Sequence, residues 1–149
     1  MQHLGFSSSF WQSDRMGLKL SASTLKEMKE HVIRSLPEEA CGLLGGRGDV
    51  VETVLPVTNM LHSATRFEME PAEQLKAFLY LEERQMDLVG IYHSHPKGPE
   101  VPSDTDIAHF YYPGVVSLIW SYNGVEWKVR AFDICEKGYK EVLLVFEYA

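Results

Sequence analysis

LVGIYHSHPKGPEVPSDTD, residues 88–106, is the stretch whose reading decides the fold. Its apolar start, LVGIY, suits a central strand buried in a sheet, and Pro96 ends it. Side chains at i and i+2 of a strand share a face. His93 and His95 therefore project together, on the side assigned to Val89 and Ile91. The connection from Lys97 to Pro102 is long enough to double back. Ser103, Asp104, Thr105 and Asp106 then open a short helix through Ile107, Ala108 and Phe110.

Upstream, LKLS at 18–21 alternates like a first strand. Thr24 followed by Glu27 reads as a capping box. Leu25, Met28, Val32 and Leu36 recur at helical spacing, and Pro37 stops that helix. ACGLLGG, residues 40–46, is short, apolar and glycine-rich, as a buried strand entering a turn is. The RGD at 47–49 is that turn, and VVETVLPV is the returning strand. Residues 58–66 read as a loop, and RFEME at 66–70 alternates like another strand. Pro71 suits the first position of a second helix reaching about Gln85, with Leu75, Phe78 and Leu79 as its core-facing stripe.

Downstream, VVSLIW and VEWKVRAFDI read as strands joined at Asn123-Gly124. EVLLVFEY is a last strand or helix. The predicted class is α/β, a mixed sheet with helices packed on it. Residues 1–17, rich in Ser and Gln, are read as a loose arm with Met16 as an alternative start, and residues 18–149 as one domain.

The 149 residues suffice for one domain with its own core, and the net charge of −7 argues against a nucleic-acid or anionic-membrane surface as the main partner. No run of about 18 apolar residues is present. MQHLGFSSSFWQSDR lacks the basic and apolar regions of a signal peptide. Cys41 and Cys135 are the only cysteines, too few for a disulfide framework, so a cytoplasmic home is expected.

Two histidines at a strand end can share a metal ion, and a histidine on an apolar face can equally be a satisfied core residue. Adding the Asp106 carboxylate makes a three-ligand set suited to zinc, with a fourth position left for water, as catalytic sites have. Ser103 and Asp106 also read as a capping pair at a helix start. The two readings are compatible, because a capped helix start is a rigid platform for a ligand. Asp104 and His109 are rival ligands by composition. Hydrolysis at zinc needs a base as well, and Glu38 and Glu39 are the nearest acids to a core strand. Spacing alone selects neither.

The spacing His-x-His-Pro, six residues, Ser, two residues, Asp resembles the signature of the JAMM (MPN-plus) metalloproteases, and Glu39-Ala40-Cys41-Gly42 resembles its upstream half. The resemblance covers roughly residues 18–135. It implies a cytidine-deaminase-like fold, with the sheet sandwiched between helices. It implies that His93, His95 and Asp106 bind one zinc per chain, and that Glu39 is the acid/base. It assigns Ser103 the hydrogen bond to the developing oxyanion. The implied substrate is a ubiquitin-like or sulfur-carrier protein with a C-terminal Gly-Gly, cut after that pair, as in the compact prokaryotic members. The alternatives are a non-catalytic scaffold of the same fold that binds a ubiquitin-like partner, and a zinc amidase acting on small molecules.

Overall fold

The first strand, β1 (Leu18–Ser21), feeds directly into α1 (Ala22–Ser35). Its last residue is therefore also the helix cap. Ser21 Oγ accepts from the Thr24 N–H at 3.2 Å and Thr24 Oγ1 accepts from the Ser21 N–H at 3.1 Å. The capping box thus lies one turn upstream of the expected Thr24–Glu27 pair, because no loop separates strand from helix. The structure, a computed structural model, describes residues 17–147, so apart from Gly17 the expected N-terminal arm lies outside the described residues.

Then come β2 (Cys41–Arg47), β3 (Val50–Val57), α2 (Pro71–Glu83), β4 (Asp87–His95) and α3 (Asp104–Ala108). The chain finishes with β5 (Val116–Tyr122), β6 (Trp127–Cys135), β7 (Gly138–Val142) and β8 (Leu144–Glu147). Of EVLLVFEY, Glu141 and Val142 end one strand and Leu144–Glu147 form the next; Tyr148 lies outside the described residues. The strands form one mixed sheet in the order β7-β6-β5-β4-β2-β3-β1-β8. β4 is parallel to β5 and antiparallel to β2.

Helices cover both faces, as expected. Met28 and Val32 of α1 pack with Leu18, Leu44 and Tyr92 on one side. Ala77 and Leu81 of α2 pack with Leu43, Val57 and Ile91 on the other. A side chain at Gly45 would collide with Leu81, and one at Gly42 with the ring of Tyr92. Tyr92 is fully buried, and its hydroxyl meets His31 Nδ1 of α1 at 2.7 Å. The glycine of the Glu-x-Cys-Gly segment is thus the seat of a core tyrosine. Among the described residues no helix is long and apolar enough to cross a membrane.

Three expectations change. Leu75 and Leu79 are 56% and 52% exposed, and the core positions of α2 are Ala77 and Leu81. The close seat of Leu81 on Gly45 turns Leu75 and Leu79 outward, while Phe78, the third residue of the expected stripe, is partly buried against the core. Secondly, β4 carries a bulge: Leu44 pairs with Gly90 but Gly45 pairs with Leu88. The extra residue moves Val89 to the α1 face with Tyr92, leaving Leu88 beside Ile91. Val89 therefore does not share the histidine face. Thirdly, RFEME forms no strand, only an isolated bridge from Asn59 to Met69. Side-chain hydrogen bonds from Asn59 take backbone groups that a ladder would have used.

Candidate active site

The site sits where β2 begins and β4 ends. Cys41 pairs with His93 in register, and Ser94 between the histidines points to the other face. There Ser94 Oγ accepts from the Ala40 N–H at 2.8 Å, while the Ser94 N–H donates to the Ala40 carbonyl at 3.0 Å. These two bonds pin the residue after Glu39 to the strand that carries both histidines. The Glu39 N–H donates to the Ser63 carbonyl at 2.8 Å. Glu39 is thereby held on both sides along its backbone.

His93 and His95 are 2% and 3% exposed, and their Nε2 atoms lie 3.0 Å apart. Asp106 Oδ2 is 3.2 Å from His93 Nε2 and 3.0 Å from His95 Nε2. Three donor atoms therefore make a nearly equilateral triangle. Tetrahedral bonds of about 2.0–2.1 Å separate ligand atoms by about 3.3 Å, so the triangle has the size that a zinc ion requires. The Glu39 carboxylate also lies near, since one of its oxygens and one nitrogen of each histidine fall within 4.8 Å of one another. Two overlapping three-donor sets thus share the histidine pair. The Asp106 set is the tighter one. Glu39 makes no hydrogen bond to either histidine that would close its set as tightly.

Each donor is prepared differently. His95 Nδ1 lies 2.7 Å from the Pro99 carbonyl, an acceptor only, so Nδ1 carries a proton and Nε2 is the nitrogen left to face Asp106 or a metal. Burial favours neutral His95, but the Asp106 hydrogen bond and the Pro99 carbonyl together raise its pKa above the ordinary value. Burial lowers the His93 pKa and keeps that ring neutral. Its Nδ1 is buried without a hydrogen-bond partner among the described residues. On its other side Phe67 stacks on the ring, with centroids 4.5 Å apart and planes 29° apart, while Nε2 meets Asp106. Burial alone would raise the Asp106 pKa, yet hydrogen bonds from both histidines and from the Ser103 N–H hold it well below the usual carboxylate range. Glu39 is pushed up to about 8, chiefly by burial, with Asp106 adding and His95 opposing.

The capping reading of Ser103 and Asp106 is also observed. Ser103 Oγ accepts from the Asp106 N–H at 3.0 Å, and Asp106 Oδ2 accepts from the Ser103 N–H at 2.9 Å. The oxygen that closes the cap is the same one that faces the histidines. The Ser103 hydroxyl proton is not needed for the cap and remains free to donate. Of the rival residues, Asp104 is exposed in the first turn, and His109 caps the end of α3 with Nδ1 3.0 Å from the Thr105 carbonyl. Glu38 faces outward and pairs with His62 at 3.2 Å.

His93 and Asp106 open onto a cleft of about 440 Å³ walled by Phe67, Met69, Pro71, Phe110, Tyr112 and their neighbours. Glu39 lines a second cleft of about 390 Å³ with His31, Arg34 and His62. Phe67, Ser94, Asn59 and the Pro99 carbonyl escaped the sequence reading. A backbone carbonyl carries no sequence signal. Phe67 lies in the alternating RFEME that resembled a strand. Ser94, between two candidate ligands, was the one with a readable position.

The chain is similar to proteins already known. The family described as prokaryotic homologs of the JAB domain matches residues 21–134. A probable TtuB-protein conjugate cleaving protease of Thermus thermophilus is 44% identical over 122 residues, which is 81% of this chain and 77% of that protein. A desampylase of Pyrococcus furiosus is 36% identical over 117 residues, 78% of this chain and 81% of its own length. A solution structure of a protein from Desulfitobacterium hafniense superposes with a TM-score of 0.81 at 34% identity, covering 89% of this chain and 94% of that one.

Proposed function

The chain belongs to the prokaryotic homologues of the JAB domain, the JAMM metalloproteases, and from that premise we propose that it is a zinc-dependent protease releasing ubiquitin-like or sulfur-carrier proteins by hydrolysis after their C-terminal Gly-Gly. The observation that carries this reading is the triangle of His93 Nε2, His95 Nε2 and Asp106 Oδ2, with edges of 3.0–3.2 Å and the buried Glu39 beside it. The relatives named for conjugate cleavage and desampylation support the substrate class.

His93, His95 and Asp106 hold the metal in this reading, one zinc per chain. A zinc ion there supplies Lewis acidity and brings the pKa of water down to about 7. Glu39 takes a proton from the attacking water and passes it to the leaving amine. Its raised pKa, close to neutral, suits a group that must both accept and give. Ser103 donates its hydroxyl proton to the carbonyl oxygen of the scissile bond as negative charge builds there. Phe67 and the Pro99 carbonyl keep the two imidazoles in the required orientation. The cleft beside His93 receives the extended tail, whose glycines let the backbone come close. A cytoplasmic setting belongs to the same reading, and both cysteines are free thiols.

The test is incubation with a panel of ubiquitin-like and sulfur-carrier proteins extended or conjugated beyond Gly-Gly, read by intact mass. Release after the second glycine is expected for at least one of them. A zinc-loaded chain that leaves the whole panel intact contradicts the reading.

Ser103→Ala separates the two roles of that residue. Loss of the cap costs about 1 kcal/mol of stability, visible in a thermal melt. Loss of the oxyanion donor lowers kcat by about 10²–10³-fold. A variant with the melting shift and an unchanged kcat would make Ser103 a cap only.

A further inference from the structure

Asn59 lies just beyond β3 and is 5% exposed. Its carboxamide offers two N–H donors and an oxygen with two lone pairs, and all of them are used. Nδ2 donates to the Glu39 carbonyl at 3.1 Å and to the Arg66 carbonyl at 3.0 Å, with the Ser63 carbonyl at 3.4 Å. Oδ1 accepts from the Leu61 N–H at 3.1 Å and the Glu68 N–H at 3.2 Å. The Leu61 bond is an ordinary turn made by an asparagine on its own backbone two residues on. The bond to Glu39 is not, since it reaches the main chain of a residue outside the loop. The bonds to Arg66 and Glu68 bracket Phe67, the ring that stacks on His93. One side chain therefore joins the backbone of the buried glutamate to the segment that walls the cleft and orients a histidine.

We infer that Asn59 is a positioning residue that sets Glu39 and the Phe67 wall as a single unit against the histidine pair. This inference rests on the reading of Glu39 as the proton carrier. No bond of Asn59 reaches His95 or Asp106, so its contribution lies in placing the base and the wall, not in holding the metal. Aspartate is nearly isosteric but has no donors when ionised. Asn59→Asp would set an acceptor against the carbonyls of Glu39, Ser63 and Arg66 and release both ends of the coupling.

The expected result for Asn59→Asp is an unchanged zinc content, a kcat lower by about 10–100-fold, the range found for groups that orient a site from outside it, and a raised KM. The decisive readout is a double-mutant cycle with Glu39→Gln. If Asn59 acts through Glu39, adding Asn59→Asp to Glu39→Gln lowers the residual kcat by less than about 3-fold. The same factor in both backgrounds would mean a general structural role and would overturn the inference. The second readout needs no turnover. The His93 ring protons, followed by NMR, should lose the ring-current shift of the Phe67 stack in Asn59→Asp as they do in Phe67→Ala. A shift left unchanged in a folded Asn59→Asp protein also overturns the inference. Should Asn59→Asp fail to fold, Asn59→Ser, which keeps one hydroxyl in place of the carboxamide, goes through the same two measurements. A parent protein that cleaves nothing would defeat the proposed function, while the NMR comparison would still decide whether Asn59 places the wall.

Discussion

Glu39→Gln retains one zinc per chain and loses about 10²–10⁴-fold in kcat, the contribution of a positioned proton carrier. The substitution is close to isosteric, and the contacts that hold residue 39 come from its backbone. The N–H to Ser63 and the carbonyl to Asn59 both survive the change. The fold should therefore persist, so the loss reports chemistry. Stability gives a second, independent check in the metal-free protein. Burial raises the Glu39 pKa from an ordinary 4.5 to about 8. A carboxyl with a raised native pKa favours folding in its protonated form, and that advantage is lost as pH rises from the unfolded value through the folded one. Parent and variant should thus melt alike near pH 4, and the variant should become relatively more stable toward pH 8. Parallel melting curves across that window would place the Glu39 carboxylate in a more polar environment than the structure gives it. Unchanged turnover would assign the proton transfer to another group.

Asp106→Ala has the opposite signature: the metal is lost first, and activity follows. The substitution removes one corner of the triangle and leaves two imidazole nitrogens facing each other at 3.0 Å. It also strips the Ser103 N–H of its acceptor. Zinc affinity should fall by at least about 100-fold, the upper end of what even outer partners of a metal site contribute. Competition with a chromophoric chelator measures it. The pair of variants also decides between the two overlapping donor sets. If Glu39 rather than Asp106 were the third ligand, Glu39→Gln would release zinc and Asp106→Ala would keep it.

Much of the site could be read from residue spacing because strand geometry converts i and i+2 into neighbours. That put His93 and His95 side by side; choosing a metal pair over two core histidines took Asp106 and the resemblance as well. Ser103 and Asp106 carried two meanings at once, and the structure keeps both, with one carboxylate oxygen serving cap and histidines together. Glu39 was different. Nothing local separates it from Glu38, and only its resemblance to a known motif did so. The structural difference is plain: one is buried behind the strand pairing of Ala40 and Ser94, the other pairs with His62 at the surface.

The misread elements share a cause. Each expectation came from local periodicity, and each was overruled by a contact distant in sequence. The stripe of Leu75 and Leu79 lost its core place because Leu81 fits against Gly45. The alternation of RFEME resembled a strand until Asn59 claimed its backbone groups. The bulge at Val89 exists only in the pairing of β4 with β2. The Pro99 carbonyl that fixes the His95 tautomer is invisible to any pattern of side chains.

The most direct measurement follows one Gly-Gly-extended ubiquitin-like protein by intact mass through three states of the enzyme: as purified, stripped of metal, and reloaded with zinc. Release after the second glycine is expected, lost on stripping and restored with about one zinc per chain. Cleavage that continues at the same rate after the metal is gone would contradict the proposed function.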